Sequence, residues 1–118
     1  MNILVIAEHD NTNLKGATLN TVAAAKEIGS DITLLVAGSN TASVISEAQQ
    51  LNGITKILSC DNDLYKNSLA EELSNLVVSL ASSFSYILAP ATTFGKNLLP
   101  RVSAKLDVQQ ISDIISIE

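Results

Sequence analysis

The chain has no tryptophan, two phenylalanines, two tyrosines, one cysteine and one histidine among its 118 residues. With so few aromatics, stacking platforms for nucleic-acid bases are absent. Basic residues are scarce too. Seven Lys and Arg against twelve Asp and Glu leave a net charge of −5. A protein that neutralises phosphates needs the opposite balance, so a nucleic-acid partner is disfavoured. The single thiol, Cys60, rules out an intrachain disulfide framework and is compatible with a reducing compartment. No apolar run reaches the ~18 residues of a membrane span, so no membrane insertion is expected. Met1 leads straight into Asn2–Ala7 and then Glu8-His9-Asp10. There is no basic n-region, and a cytoplasmic domain is expected.

Aliphatic residues are what the chain has instead. Hydrophobic residues make up 47% and charged residues 16%. General disorder is excluded by that balance. One domain with an aliphatic core is expected, burying roughly two-thirds of its extended surface.

Short apolar runs at Ile3–Ala7, Ile32–Ala37, Thr55–Cys60 and Ser85–Ala89 suit strands buried on both faces. A fifth is predicted over Asp113–Ile117. Between them lie helical periodicities. Leu14, Ala17, Thr21, Ala24 and Ile28 form the first stripe, with Gly29 at its end. Val44, Ala48 and Leu51 form the second, capped by Asn40 or Thr41 and ended by Asn52-Gly53. Ser68 and Glu71 fit a capping box ahead of Leu69, Leu73, Leu76 and Leu80. Thr92 or Thr93 caps a fourth helix that buries Leu98, Val102 and Leu106. Pro100 should lie in its first two turns or kink it. The pattern predicts an α/β fold. It is a doubly wound, mostly parallel five-stranded sheet with right-handed crossovers and helices on both faces. Its fifth strand closes the chain without a following helix, so a first domain of something longer is expected.

Ligands of such sheets bind beyond the carboxyl ends of the strands. Those ends carry Glu8, His9, Asp10, Gly38, Ser39, Asp61 and the turn Pro90–Gly95. Thr92, Thr93 and Gly95 are the crevice candidates, because a helix N-terminus there favours an anion. Yet no glycine-rich phosphate motif is matched, since Gly95-Lys96 lacks the earlier glycine and the following Ser or Thr. The plain alternative is an N-cap whose hydroxyls satisfy helix amides. Glu8, His9 and Asp10 are adjacent and do not converge by themselves, so they are read as serving the loop or an interface. Asp61-Asn62-Asp63 lacks the later Gly and Glu of a calcium loop and is read as turn chemistry. Cys60 is read as a buried strand-end thiol. Lys96, Arg101 and Lys105 are read as a basic, solvated edge. No metal site and no catalytic residue is assigned.

As a whole the chain resembles the amino-terminal domain of the electron transfer flavoprotein alpha subunit. Three stretches carry the resemblance. They are Ile3–Asn11 with Leu14-Lys15 and Thr18–Ala25, Ile32–Gly38, and Ile87–Arg101 running on into Leu106-Asp107-Val108 and Ile111–Ile114. The stretch Gly95-Lys96-Asn97-Leu98-Leu99-Pro100-Arg101 is the most specific.

The resemblance implies a Rossmann-like fold of the adenine-nucleotide-hydrolase type over residues 1–118, without the flavin domain. It implies a heterodimer with a beta subunit and one FAD. That assembly would pass electrons from acyl-CoA and other dehydrogenases, as in fatty-acid oxidation, to a quinone oxidoreductase. The flavin would be held mainly by the carboxy-terminal domain, so no cofactor is expected on this fragment. The chain is then a scaffold and electron-carrier piece rather than an enzyme, and its fifth-strand edge is expected to meet the beta subunit. Two other functions stand beside it. One is an adenine-nucleotide-binding module of universal-stress type using Thr92–Gly95. The other is a small receiver-like or hydrolytic enzyme using Glu8 and Asp10.

Overall fold

A computed structural model describes residues 2–66, 70–106, 110–111 and 114–116, the last two stretches as backbone. The parallel strands are β1 (Asn2–Ile6), β2 (Asp31–Gly38), β3 (Lys56–Asp61) and β4 (Tyr86–Leu88). The helices are α1 (Gly16–Ile28), α2 (Ala42–Ala48), α3 (Ala70–Leu80) and α4 (Thr93–Leu106). Single 3-10 turns at Asp63–Tyr65 and Ala81–Ser83 flank α3. Two short strands follow, β5 (Gln110–Ile111) and β6 (Ile114–Ser116).

The sheet runs β3-β2-β1-β4-β6-β5. Here the expectation of five strands needs correction. The last stretch forms an antiparallel pair, with β6 lying antiparallel against β4 through Tyr86↔Ser116 and Leu88↔Ile114. The apolar run at Ile114 fits a strand of either direction, because side-chain alternation does not depend on the neighbour's sense.

Alternate residues of β1, with Ala7 just after it, feed two separate cores. Leu4 and Ile6 join Leu35 and Ile87 under Leu73 and Val77 of α3 and Leu98, Leu99 and Val102 of α4. Ile3, Val5 and Ala7 join Ile32, Leu34, Val36 and Leu88 under Val22 and Ala25 of α1 and Val44 and Ala48 of α2. Helices therefore cover both faces, and the strands read as continuous apolar runs. Each fully buried Leu or Ile stabilises the fold by about 2 kcal/mol.

Three helix expectations shift. The buried stripe of α1 is Thr18, Thr21, Val22 and Ala25, while Ala24 is exposed. Thr18 turns inward because its hydroxyl serves Glu8, which apolar periodicity does not register. Gly29 caps α1 in extended backbone at φ −171°, a conformation open to any residue. Pro100 stands eighth in α4, just past its second turn, and removes the bond to the Lys96 carbonyl. Ser68 and Leu69 lie outside the described residues. The capping box expected of Ser68 with Glu71 falls outside them too, and the described partners of the Glu71 carboxylate lie on α4. That carboxylate accepts from Lys105 Nζ at 2.9 Å and Arg101 at 3.4 Å. Lys105 also donates to Ser74 Oγ and Asn75 Oδ1, at 2.8 and 2.7 Å. Two of the three cations read as a solvated edge thus clamp α4 to α3.

Candidate functional site

Strand order reverses at β1, whose neighbours are β2 on one side and β4 on the other. The carboxyl ends of β1, β2, β3 and β4 bring Glu8–Asp10, Gly38-Ser39, Asp61 and Pro90–Gly95 to one rim. Sequence position 8 meets position 92 there. The Thr92 hydroxyl donates to Glu8 Oε1 at 2.9 Å. The Glu8 backbone is pinned as well: its N–H donates to Thr18 Oγ1 at 2.9 Å, and that hydroxyl donates back to the Glu8 carbonyl at 3.0 Å. A carboxylate is therefore held beside the first residues of α4, where the helix dipole favours an anion. Thr92 spends its hydroxyl proton on Glu8, and its carbonyl accepts the Lys96 N–H at 2.9 Å.

Gly95 explains itself by packing. A Cβ on Gly95 would overlap the Pro90 carbonyl oxygen and lie 3.3 Å from Ala89 Cβ. α4 thus comes down directly onto the turn that ends β4. Thr93, by contrast, is exposed at the helix start. Of the three crevice candidates, Thr92 faces a carboxylate and Gly95 faces main chain, so the three do not form a cradle.

His9 lies under the rim, only 7% exposed. Its Nε2 is 2.7 Å from the Ala37 carbonyl, and its Nδ1 accepts from the Asn11 N–H at 2.9 Å. An amide can only donate, so Nδ1 carries no proton and Nε2–H donates. Asn11 continues the tie. At φ 70° it adopts the left-handed backbone that asparagine tolerates. Its Oδ1 accepts from the Ser39 N–H at 2.9 Å, and its Nδ2 donates to the Lys66 carbonyl at 2.8 Å. Gly38 makes room for this. A Cβ there would overlap Asn11 Oδ1 and lie 2.6 Å from His9 Cε1 and 2.7 Å from Thr41 Cγ2.

The acids near β3 are used in the same way. Asp61 accepts the Asn40 and Thr41 N–H groups at 2.8 and 3.3 Å. Asp61, and not a Thr41 hydroxyl bond, therefore serves the start of α2. Asn62 Oδ1 caps the following 3-10 turn through the Leu64 N–H at 2.9 Å. Asp63 accepts the Ser39 hydroxyl at 2.7 Å. Asp10 takes the Thr12 and Asn13 amides at 3.0 and 2.7 Å. Those amides, Asn13 first, hold its carboxyl below the ordinary value. Cys60 is half-buried beside Tyr65, whose hydroxyl is pushed up by burial and then by the thiol. Among the described residues, no buried side-chain polar atom lacks a hydrogen-bond partner, and no cluster of His, Cys, Asp and Glu is arranged to hold a metal. No helix among them is long and apolar enough to cross a membrane.

Sequence reading put these residues at one rim but missed their partners. The Glu8–Thr92 and His9–Ala37 contacts span 84 and 28 positions. The signal that could have helped is Asn11 beside Asn13, since asparagine marks turns with left-handed backbone.

Comparison with known proteins gives one family. The sequence pattern of the electron transfer flavoprotein domain matches residues 3–118. The electron transfer flavoprotein subunit alpha of Pseudomonas aeruginosa is 55% identical over 117 residues, 99% of this chain and 38% of that protein. The Paracoccus denitrificans subunit alpha is 42% identical over 118 residues, again 99% and 38%. A mitochondrial subunit alpha from Dictyostelium discoideum is 43% identical over 123 residues, covering 98% of this chain and 35% of that protein. The chain thus spans somewhat over a third of the length of the curated relatives it matches. The expected resemblance holds along the whole sequence, and the chain belongs to the electron transfer flavoprotein family, matching the amino-terminal domain of its alpha subunits.

Proposed function

We propose that residues 1–118 act as the scaffold domain of an electron transfer flavoprotein alpha subunit. The domain packs on a beta subunit and on a flavin domain, and contributes no catalytic residue. The whole assembly carries FAD and relays electrons from acyl-CoA and other dehydrogenases to a quinone oxidoreductase. We place it in the cytoplasm. The Dictyostelium relative is described as mitochondrial. The edge expected of the predicted fifth strand is not free, because that stretch is β6 and is enclosed between β4 and β5; we assign to the beta subunit the edge formed instead by β5.

The observation that carries the scaffold reading is the rim beside β4. Glu8 holds a carboxylate beside the start of α4, where an anion is favoured, and the Pro90 carbonyl lies against Gly95. The same observation weighs against the nucleotide-binding and hydrolytic alternatives. Calorimetric titration of AMP, ATP and FAD into the chain tests it. No binding heat from any of the three is expected. Tight AMP or ATP binding, weakened by Thr93→Ala but tightened by Glu8→Gln, would overturn it.

A further inference from the structure

The turn between α2 and β3 carries Asn52-Gly53, the one Asn-Gly pair in the chain. Both residues are exposed. Gly53 has φ 92°, so the turn depends on glycine. Among the described residues, neither the Gly53 N–H nor the Asn52 carboxamide has a hydrogen-bond partner. The stem of Lys26, in the last turn of α1, lies over Gly53. A Cβ at Gly53 would overlap Lys26 Cε and lie 3.1 Å from Nζ. Among the described residues, Lys26 has no carboxylate within ion-pair distance. An unpaired ammonium thus stands against a small, uncovered Asn-Gly turn.

We propose that Asn52 is a self-modifying site, converted to aspartate and isoaspartate by its own backbone with Lys26 assisting. The Gly53 nitrogen attacks Asn52 Cγ. The N–Cγ bond forms, the Cγ–Nδ2 bond breaks, and the amide proton of Gly53 leaves with the departing ammonia. A five-membered imide results. Water then adds across one of its two C–N bonds. Opening at Cγ returns the ordinary backbone as aspartate. Opening at the main-chain carbonyl gives isoaspartate, with one extra carbon in the chain. No oxidant or co-reactant beyond water is needed.

Glycine favours the attack because it brings no side chain to the nucleophile. Lys26 favours it because a nearby cation stabilises the negative charge that develops during ring closure. The same ammonium then faces the new carboxylate. The extra carbon of the isoaspartate form enters just ahead of β3, whose pairing with β2 begins at Thr33↔Lys56.

The test incubates the intact, folded protein at 37 °C and mildly alkaline pH, followed by peptide mass mapping and enzymatic methylation of isoaspartate. Conversion concentrated at residue 52, with ammonia released, is expected. Lys26→Met should slow it roughly threefold, the scale of an exposed charge interaction, while keeping the aliphatic stem. Asn52→Gln should abolish the methylation signal. Two results would overturn the proposal. One is an intact Asn52 in the folded protein under conditions where the urea-unfolded chain converts. The other is a Lys26→Met rate equal to that of the parent.

Discussion

Gly38 and Gly95 occupy similar places, one at the end of β2 and the other just past β4. Both lie where open sheets tend to receive ligands. They are closed off by different things. Around Gly38 the neighbours are side chains: Asn11, His9 and Thr41. Against Gly95 the neighbour is the main chain of Pro90. Side chains can rotate away from an added methyl, and the main-chain carbonyl of Pro90, buried in the turn after β4, cannot. The β2 side of the rim is therefore a polar lacing that can yield, and the β4 side is a rigid packing contact.

The largest effect should come from the rigid side. Gly95→Ala forces α4 away from β4 and disturbs Leu98 and Leu99 beneath it. A loss on the order of 3 kcal/mol or more is expected from urea unfolding. Tolerance within about 1 kcal/mol would mean that α4 slides on the sheet, and the contrast between the two glycines would fail. Next comes His9→Ala, at about 2–3 kcal/mol. It leaves the Ala37 carbonyl and the Asn11 N–H without partners and opens a void under the rim. Chemical shifts at Ser39 and Lys66 should move with it, because Asn11 connects them to His9. Gly38→Ala should cost less, about 1–2 kcal/mol, since three side chains can give way. If Gly38→Ala proved worse than Gly95→Ala, the lacing would be the stiffer of the two.

The same comparison shows what was legible. Packing by apolar residues is local and periodic, so the four parallel strands and most of the apolar face of α4 can be read directly, whereas on α3 Leu73 is buried but Val77 takes the deep position expected of Leu76. Lacing is neither. Glu8 finds Thr92, and Asp61 supplies amide acceptors to α2, through the order of strands and not through spacing in sequence. Ala24 was misplaced on α1 because alanine suits either face of a helix, whereas Thr18 is buried by one hydrogen-bond exchange with Glu8. The closing antiparallel pair is not legible, because apolar alternation at Ile114 carries no strand direction. The family resemblance supplied the functional reading, and periodicity alone would have stopped at an α/β domain.

The smallest effect tests a third kind of contact, the exposed clamp between α3 and α4. Glu71 is held below the ordinary carboxylate value, first by its hydrogen bond to Lys105 and then by the charges of Lys105 and Arg101. A carboxylate with a lowered folded-state value stabilises the fold above its unfolded value of 4.5 and loses that contribution as the pH falls below it. Asp10 has the same sign, with its contribution present above 3.8 and lost below. Both groups are exposed, so screening keeps the effect small. Glu71→Gln should therefore lower thermal stability slightly at neutral pH, and the gap to the parent should close on acidification. Added salt should narrow the same gap at neutral pH. A gap that persisted unchanged below pH 4.5 would show that Glu71 acts through packing and not through charge. The α3–α4 contact would then belong with Gly95 and not with the polar lacing.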